Sequence, residues 1–162
     1  MPEKLYAGLT YEQIVRKYSQ TVANVCLIRL QNYADAEDCF QNTFVKLFTN
    51  SPQFTGENHL KAWLIRVAIN ECVTCVRKNK LFIPLKNVNR EETYFTDDTN
   101  DVLWALLKTP QKYREVLYLH YCEQCTVSDI AEILKINENT VKTRLRRGRE
   151  KLKSIYGGDE RE

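Results

Sequence analysis

The sequence predicts an all-α protein: two small helical domains, an N-terminal helical bundle and a C-terminal helix-turn-helix domain, joined by an acidic linker. Three observations carry that expectation. Apolar residues recur at three-to-four spacing in long stretches before residue 81 and in shorter stretches after residue 100. Between them, Pro84 to Asp101 holds five carboxylates, two bases and few large aliphatics, the composition of a linker or of an ordered acidic loop. Basic residues then concentrate near the C-terminus. Residues 135–153 hold eight bases against two acids, while the other 143 residues hold sixteen against nineteen. A length of 162 residues accommodates two domains of roughly 60 to 90 residues each. The boundaries read as 1–83, 84–100 and 101–162.

In the first half, residues 11–31 place Val15, Tyr18, Val22 and Val25 on one helical face. Asn32 and Tyr33 break the pattern. A second helix, residues 34–49, puts Ala36, Phe40, Phe44 and Leu47 on one side, with Asp35, Glu37 and Asp38 in a first turn that favours carboxylates. Residues 51–58 contain Ser, Pro, Gly and Asn and read as a loop. A third helix, residues 59–80, has a broad apolar stripe of Leu60, Trp63, Leu64, Val67, Ala68, Cys72, Cys75 and Val76. Arg66, Asn70, Val73 and Arg77 share another face. An asparagine between two arginines on one stripe, in a segment of net +4 (residues 61–80), points to nucleic acid more than a solvated asparagine alone would.

The second half predicts a short helix at 101–108. Thr109 is a capping hydroxyl before Pro110, starting a helix that runs to about residue 121. Thr126 caps a helix at 127–134, with Asp129 as the reciprocal partner of a capping box. After a tight break at 135–137, a last helix runs from 138 to about 156. Residues 126–145 thus have helix-turn-helix form. Ala131 permits close approach, and Ile130, Leu134, Ile136, Val141 and Leu145 fix the crossing. Val141, Leu145, Gly148 and Leu152 form the buried face of the second helix, beside a basic face of Lys142, Arg146, Arg149 and Lys153. Asn139, Thr140, Lys142 and Thr143 sit where base edges would be reached, and the arginines where phosphates run.

Other classes find less support. No stretch approaches the ~18 apolar residues of a membrane helix. The first residues lack the basic-then-apolar order of a secretory signal, and six cysteines without one suggest reduced thiols in a cytosol. Cys72/Cys75 and Cys122/Cys125 have metal-like spacing, but 46 residues separate the pairs, and Cys72 and Cys75 also fit the apolar stripe. No metal or cofactor is expected. Asp35, Glu37 and Asp38 lie on one short helix without a partner histidine, so no catalytic set is recognised. The competing reading is a stand-alone helix-turn-helix regulator whose N-terminal domain senses metal or redox state.

From about residue 11 to 153 the chain resembles the bacterial sigma factors of the extracytoplasmic-function (ECF) group. The segments that carry the resemblance are Asp35-Ala-Glu-Asp-Cys-Phe-Gln41 with Thr43-Phe-Val-Lys-Leu47, Lys61-Ala-Trp-Leu-Ile-Arg-Val-Ala-Ile-Asn70 with Arg77, Arg114-Glu-Val-Leu117, Asp129-Ile-Ala-Glu132 and Asn139-Thr-Val-Lys-Thr-Arg-Leu145. The resemblance implies a dissociable, cytoplasmic, non-enzymatic subunit of RNA polymerase. Asp35, Asp38, Gln41, Phe44 and Lys46 would bind core polymerase at its β′ coiled coil, with the β flap as a second contact. Phe54, Asn58, His59, Lys61, Arg66, Asn70 and Arg77 would hold the opened strand at the minus-ten element, by base flipping and stacking. Thr126, Asn139, Thr140, Lys142, Thr143, Arg144, Arg146, Arg147 and Arg149 would read the minus-thirty-five duplex. Promoter binding by the free chain would be weak, because both modules need polymerase to hold their spacing. An anti-sigma factor is a further partner known for many members. The chain departs from the pattern at Thr74, where Asp is common, at Lys135, where Gly often closes the turn, and at Gly148, which replaces a frequent Ala. A lysine in a left-handed turn would be strained, so a somewhat different turn is expected there.

Overall fold

The computed structural model describes residues 3–78 and 97–160. The named elements of these residues are helical: α1 (Tyr11–Leu30), α2 (Tyr33–Asn50), α3 (Glu57–Lys78), α4 (Asp97–Leu107), α5 (Gln111–Leu117), a π-helical turn (Tyr118–Cys122), α6 (Val127–Leu134) and α7 (Glu138–Glu160). They divide into two compact units, α1–α3 and α4–α7. Most of the expected acidic linker lies outside the described residues. Its last positions are helical, because α4 begins at Asp97 and not at Asp101.

In the first unit each helix packs on the other two. Thr10 and Gln13 form a reciprocal capping box that starts α1: the Gln13 N–H donates to Thr10 Oγ1 at 3.1 Å and the Thr10 N–H to Gln13 Oε1 at 2.9 Å. Gln31 ends it in the left-handed conformation, φ 54°. Asn32, expected only as a break, is the N-cap of α2, its Oδ1 accepting the Asp35 N–H at 3.0 Å. Glu57 opens α3 two residues earlier than expected. It is anchored to α1 by an ion pair with Lys17 and a 2.9 Å hydrogen bond from the Tyr18 hydroxyl. The Lys17 ammonium, then the Tyr18 hydroxyl, hold its carboxyl below the ordinary carboxylate range.

The buried faces keep most of the expected residues, among them Tyr18, Val22, Val25, Ala36, Phe44, Leu47, Leu60, Leu64, Ala68 and Cys72, and differ at their margins. On α1 the fully buried residue near the start is Ile14, and Val15 lies at the edge. On α3 the core positions are Leu60, Leu64, Ile65, Ala68, Ile69 and Cys72, while Val76 is 54% exposed. With neighbours on two sides, α3 buries a wider arc than one stripe, so Ile65 and Ile69 turn inward and Val76 falls outside it.

In the second unit α7 packs on α4, α5 and α6. Thr109 does not cap α5. Its hydroxyl donates back to the Leu106 carbonyl, and Pro110 itself occupies the cap position. The buried Arg114 closes this corner by donating to the Thr109 carbonyl at 3.0 Å. The helix continues past Leu117 as a π turn, in which Tyr118 and Leu119 stay buried. The core collects Leu103, Leu106, Val116, Leu117, Ile130, Ile133, Val141 and Leu145.

Gly148 is where α7 meets α5. A Cβ at this position would stand 3.0 Å from Leu117 Cδ1 and 3.2 Å from Tyr113 Cβ. The helix forgoes about 1 kcal/mol of propensity relative to Ala to permit that approach. Gly148→Val should therefore destabilise the protein by about 1–3 kcal/mol, read as a lower melting temperature. A neutral result would show that the α5–α7 contact yields freely.

Candidate nucleic-acid and protein interfaces

The helix-turn-helix is set by local chemistry at both ends of α6. The Asp129 N–H donates to Thr126 Oγ1, and the Thr126 N–H donates to the Asp129 carboxylate, each at 3.0 Å. At the other end Lys135 adopts φ 58°, ψ 47°, so the turn keeps the left-handed geometry that a glycine would favour. The Ile136 N–H closes it on the Ala131 carbonyl at 3.0 Å. Asn137 starts α7, its Oδ1 accepting the Thr140 N–H at 2.7 Å.

The buried stripe of α7, Val141, Leu145 and Gly148, separates two basic flanks. One carries Lys142, Arg146, Arg149 and Lys153 at four-, three- and four-residue steps, all exposed. Arg149 is steadied by a 2.9 Å hydrogen bond to the Tyr121 hydroxyl. The other flank opens a cleft of about 410 Å³ lined by Asn137, Asn139, Thr140, Thr143, Arg144 and Arg147 from the helix-turn-helix, with Lys112 and Tyr113 of α5. Three cations beside amide and hydroxyl groups can hold a phosphate while polar side chains meet a base edge. Of the sequence-expected residues, Thr126 has its hydroxyl engaged as a cap, and Asn139, Thr140, Thr143, Arg144 and Arg147 meet at this cleft. Lys112 was missed. A lysine in the first turn of a helix has no signature until α5 is packed beside α7.

On α3 the residues expected at opened DNA fall into two groups. Phe54, His59 and Trp63 form an edge-on aromatic cluster, with the Phe54 ring centroid 5.2 Å from His59 and 5.6 Å from Trp63. His59 Nδ1 accepts the Thr55 N–H at 3.1 Å, which places the ring proton on Nε2. Asn58 and Lys61 share this end, Asn58 exposed and Lys61 partly so. Further along, Asn70 and Arg77 are exposed, and Arg66 is half-buried with its Nε lacking a hydrogen-bond partner.

On α2 the expectation needs correction. Phe44 is only 5% exposed; its ring packs against Phe40 and its carbonyl accepts the Tyr11 hydroxyl, so its side chain is core and not surface. Lys46 is engaged in an ion pair with Glu71 of α3. Asp38 and Gln41 are exposed, and Asp35 is partly so. The apolar groups that reach solvent are Val45 at 56% and Phe48 at 64%, which continue the Asp38–Gln41 face at helical spacing.

Comparison with known proteins identifies the family and the fold. Residues 14–82 match the family model for sigma-70 region 2, and residues 102–152 that for sigma-70 region 4. The ECF RNA polymerase sigma factor SigW of Bacillus subtilis is 30% identical over 162 residues, spanning 88% of this chain and 87% of that protein. The ECF sigma factor SigM of the same organism is 25% identical, spanning 91% and 96%. The fold is shared with the sigma factor RpoE of Bartonella quintana, solved in complex with the anti-sigma factor NepR, at a TM-score of 0.68 and 22% identity over 91% of this chain and 96% of that one. It is shared also with CnrH, solved with the cytosolic domain of CnrY, at a TM-score of 0.63 and 22% identity over 92% and 88%.

Because Lys135 bears the steric cost of a left-handed L residue, Lys135→Gly should raise stability by up to about 1 kcal/mol. The denaturant midpoint should rise with an unchanged slope. A lower midpoint would mean that the lysine side chain contributes more than its backbone costs.

Proposed function

We propose a division of labour from one premise: the chain belongs to the ECF group of sigma-70 factors. As such it binds core RNA polymerase and directs promoter recognition and the start of transcription. The finer reading is that it acts in the bacterial cytoplasm as a non-enzymatic subunit, with its roles divided among three surfaces. The observation that carries it is the cleft beside the recognition helix α7, where Arg144, Arg147 and Lys112 stand around Asn139, Thr140 and Thr143.

In this reading the second unit reads the minus-thirty-five duplex. Asn139, Thr140 and Thr143 address base edges. Arg144, Arg147 and Lys112 hold phosphates on one flank, and Lys142, Arg146 and Arg149 hold them on the other. The first unit holds the opened minus-ten strand. Phe54 offers a ring edge or face for stacking, His59 Nε2 a donor, and Asn58, Lys61, Asn70 and Arg77 polar contacts along α3. The Nε of Arg66 would gain the partner it lacks when a base or phosphate reaches it. The polymerase β′ coiled coil would be met by α2 through Asp38, Gln41, Val45 and Phe48, with Asp35 at the margin and Lys46 joined to Glu71. The β flap is assigned to the second unit. An anti-sigma factor is a further proposed partner, consistent with the RpoE relative having been solved with one.

Adding the protein to purified core polymerase should create start sites that core alone does not use. Failure to assemble with core would overturn the reading. Phe48→Ala should weaken assembly about tenfold with only a small fall in melting temperature from the lost Tyr11 contact, whereas Phe44→Ala should cost stability by about 3–5 kcal/mol. Equal effects on assembly would refute the division between core and surface. Lys112→Ala in the assembled enzyme should flatten the salt dependence of promoter binding by about one unit of slope, with affinity lost evenly across sequences.

A further inference from the structure

The helix α5 does not end regularly. It runs into the π turn Tyr118–Cys122, and the chain from there towards α6 is tied to itself. The Glu123 N–H donates to the Tyr118 carbonyl at 3.2 Å, and the Cys125 N–H to the Leu119 carbonyl at 2.9 Å. The Tyr118 hydroxyl donates to the Glu123 carboxylate. A carbonyl only accepts, so His120 Nδ1 carries the proton that it gives to the Cys125 carbonyl, at 3.0 Å. The wider turn offsets its side chains from the face that a continued α-helix would give them. The side chain it presents outward is Tyr121. This residue is 54% exposed, its ring is met edge-on by His120 with centroids 4.8 Å apart, and its hydroxyl accepts a hydrogen bond from Arg149 Nη1 at 2.9 Å.

We propose that Tyr121 and Arg149 together form a site for one DNA phosphate, with the Tyr121 hydroxyl as a direct ligand and not only a brace for the arginine. Both groups keep donors to give. The phenol has accepted a bond and retains its own proton, and Arg149 has used one N–H of its guanidinium and retains the rest. These donors start from atoms 2.9 Å apart, so they can converge on one anion. A phosphate presents acceptor oxygens and a negative charge, which suits two neighbouring donors of which one is a cation. Accepting from Arg149 also polarises the phenol and strengthens its O–H as a donor.

The chemistry of the partner matters. Among the described residues no carboxylate is paired with Arg149. A carboxylate would fix the side chain and cancel its charge; a neutral phenol fixes it and leaves the charge for the ligand. The fixing has value on this flank, where Lys142, Arg146 and Lys153 are also exposed and like charges push a long side chain outward. Part of the ordering of Arg149 is then complete before DNA arrives, which lowers the entropy lost on binding. The inference deepens the duplex-reading role given to the second unit and rests on it. It adds a residue of the π turn, outside the helix-turn-helix, to the surface that holds the duplex.

The test uses the full chain assembled with core polymerase and a promoter fragment from which that enzyme starts. A set of such fragments carries one neutral methylphosphonate each, at successive phosphates of the upstream duplex. Tyr121→Phe keeps the ring and its His120 contact and removes only the hydroxyl. It should leave the melting temperature little changed and lower affinity for the unmodified fragment about three- to tenfold. Arg149→Ala should lower affinity too and flatten the salt dependence by about one unit of slope, whereas Tyr121→Phe removes no charge and should keep the slope. Both variants should become insensitive to the methylphosphonate at the same phosphate, and their combined effect should be less than the product of the two. Unchanged affinity in Tyr121→Phe would overturn the proposal, as would insensitivity of the two variants at different phosphates. If Arg149→Ala responds and Tyr121→Phe does not, the Tyr121 site alone is struck. If Lys112→Ala, Lys142→Ala and Arg149→Ala all bind as the unchanged chain does, the duplex reading falls and this site with it.

Discussion

The close approach of α7 to α5 at Gly148 is the constraint on which the second unit depends. The helix α7 is held along one side and leaves its two basic flanks open. Here the anchored arc is narrow, made of Val141, Leu145 and Gly148. The missing Cβ leaves room for the Leu117 and Tyr113 side chains of α5, and the same helix carries Lys112 to the cleft.

The first unit meets the opposite demand. Three mutually packed helices leave outer faces of different character. The inner surface consumes Ile14, Leu47, Leu60, Leu64, Ile65 and Cys72, and Phe44 with them. What remains outside α2 is a mixed acidic and apolar strip, and outside α3 a polar and basic one. The Lys46–Glu71 ion pair ties the two helices and removes both charges from those strips. With Lys46 half exposed and Glu71 mostly covered, the pair fixes which side chains are left on those strips.

The helices themselves were legible because their signals are local. The Thr126–Asp129 capping box and the two-residue break before α2 can be read without knowing the fold. The Thr10–Gln13 box is equally local and was overlooked. The margins of the buried faces were not legible. The apolar spacing put Phe44 with Ala36 and Leu47, where the structure buries it, whereas the resemblance alone put it among the partner-facing residues; the exposed Phe48 had no signal of its own. The basic residues of the recognition helix were visible, but Lys112 needed the tertiary structure to find its role.

The packing within each unit also bears on how the chain is made. Every extensive helix interface in the first unit joins residues between Tyr11 and Lys78, and every one in the second joins residues from Asp97 onward. Loops between successive helices within each unit are short, so little chain entropy is lost in closing them. Such contacts favour rapid folding, and the first bundle has all its helices once residue 78 is clear of the ribosome. Synthesis can thus complete the first unit before the second exists. The order of the two units along the chain is an order in time as well as in space.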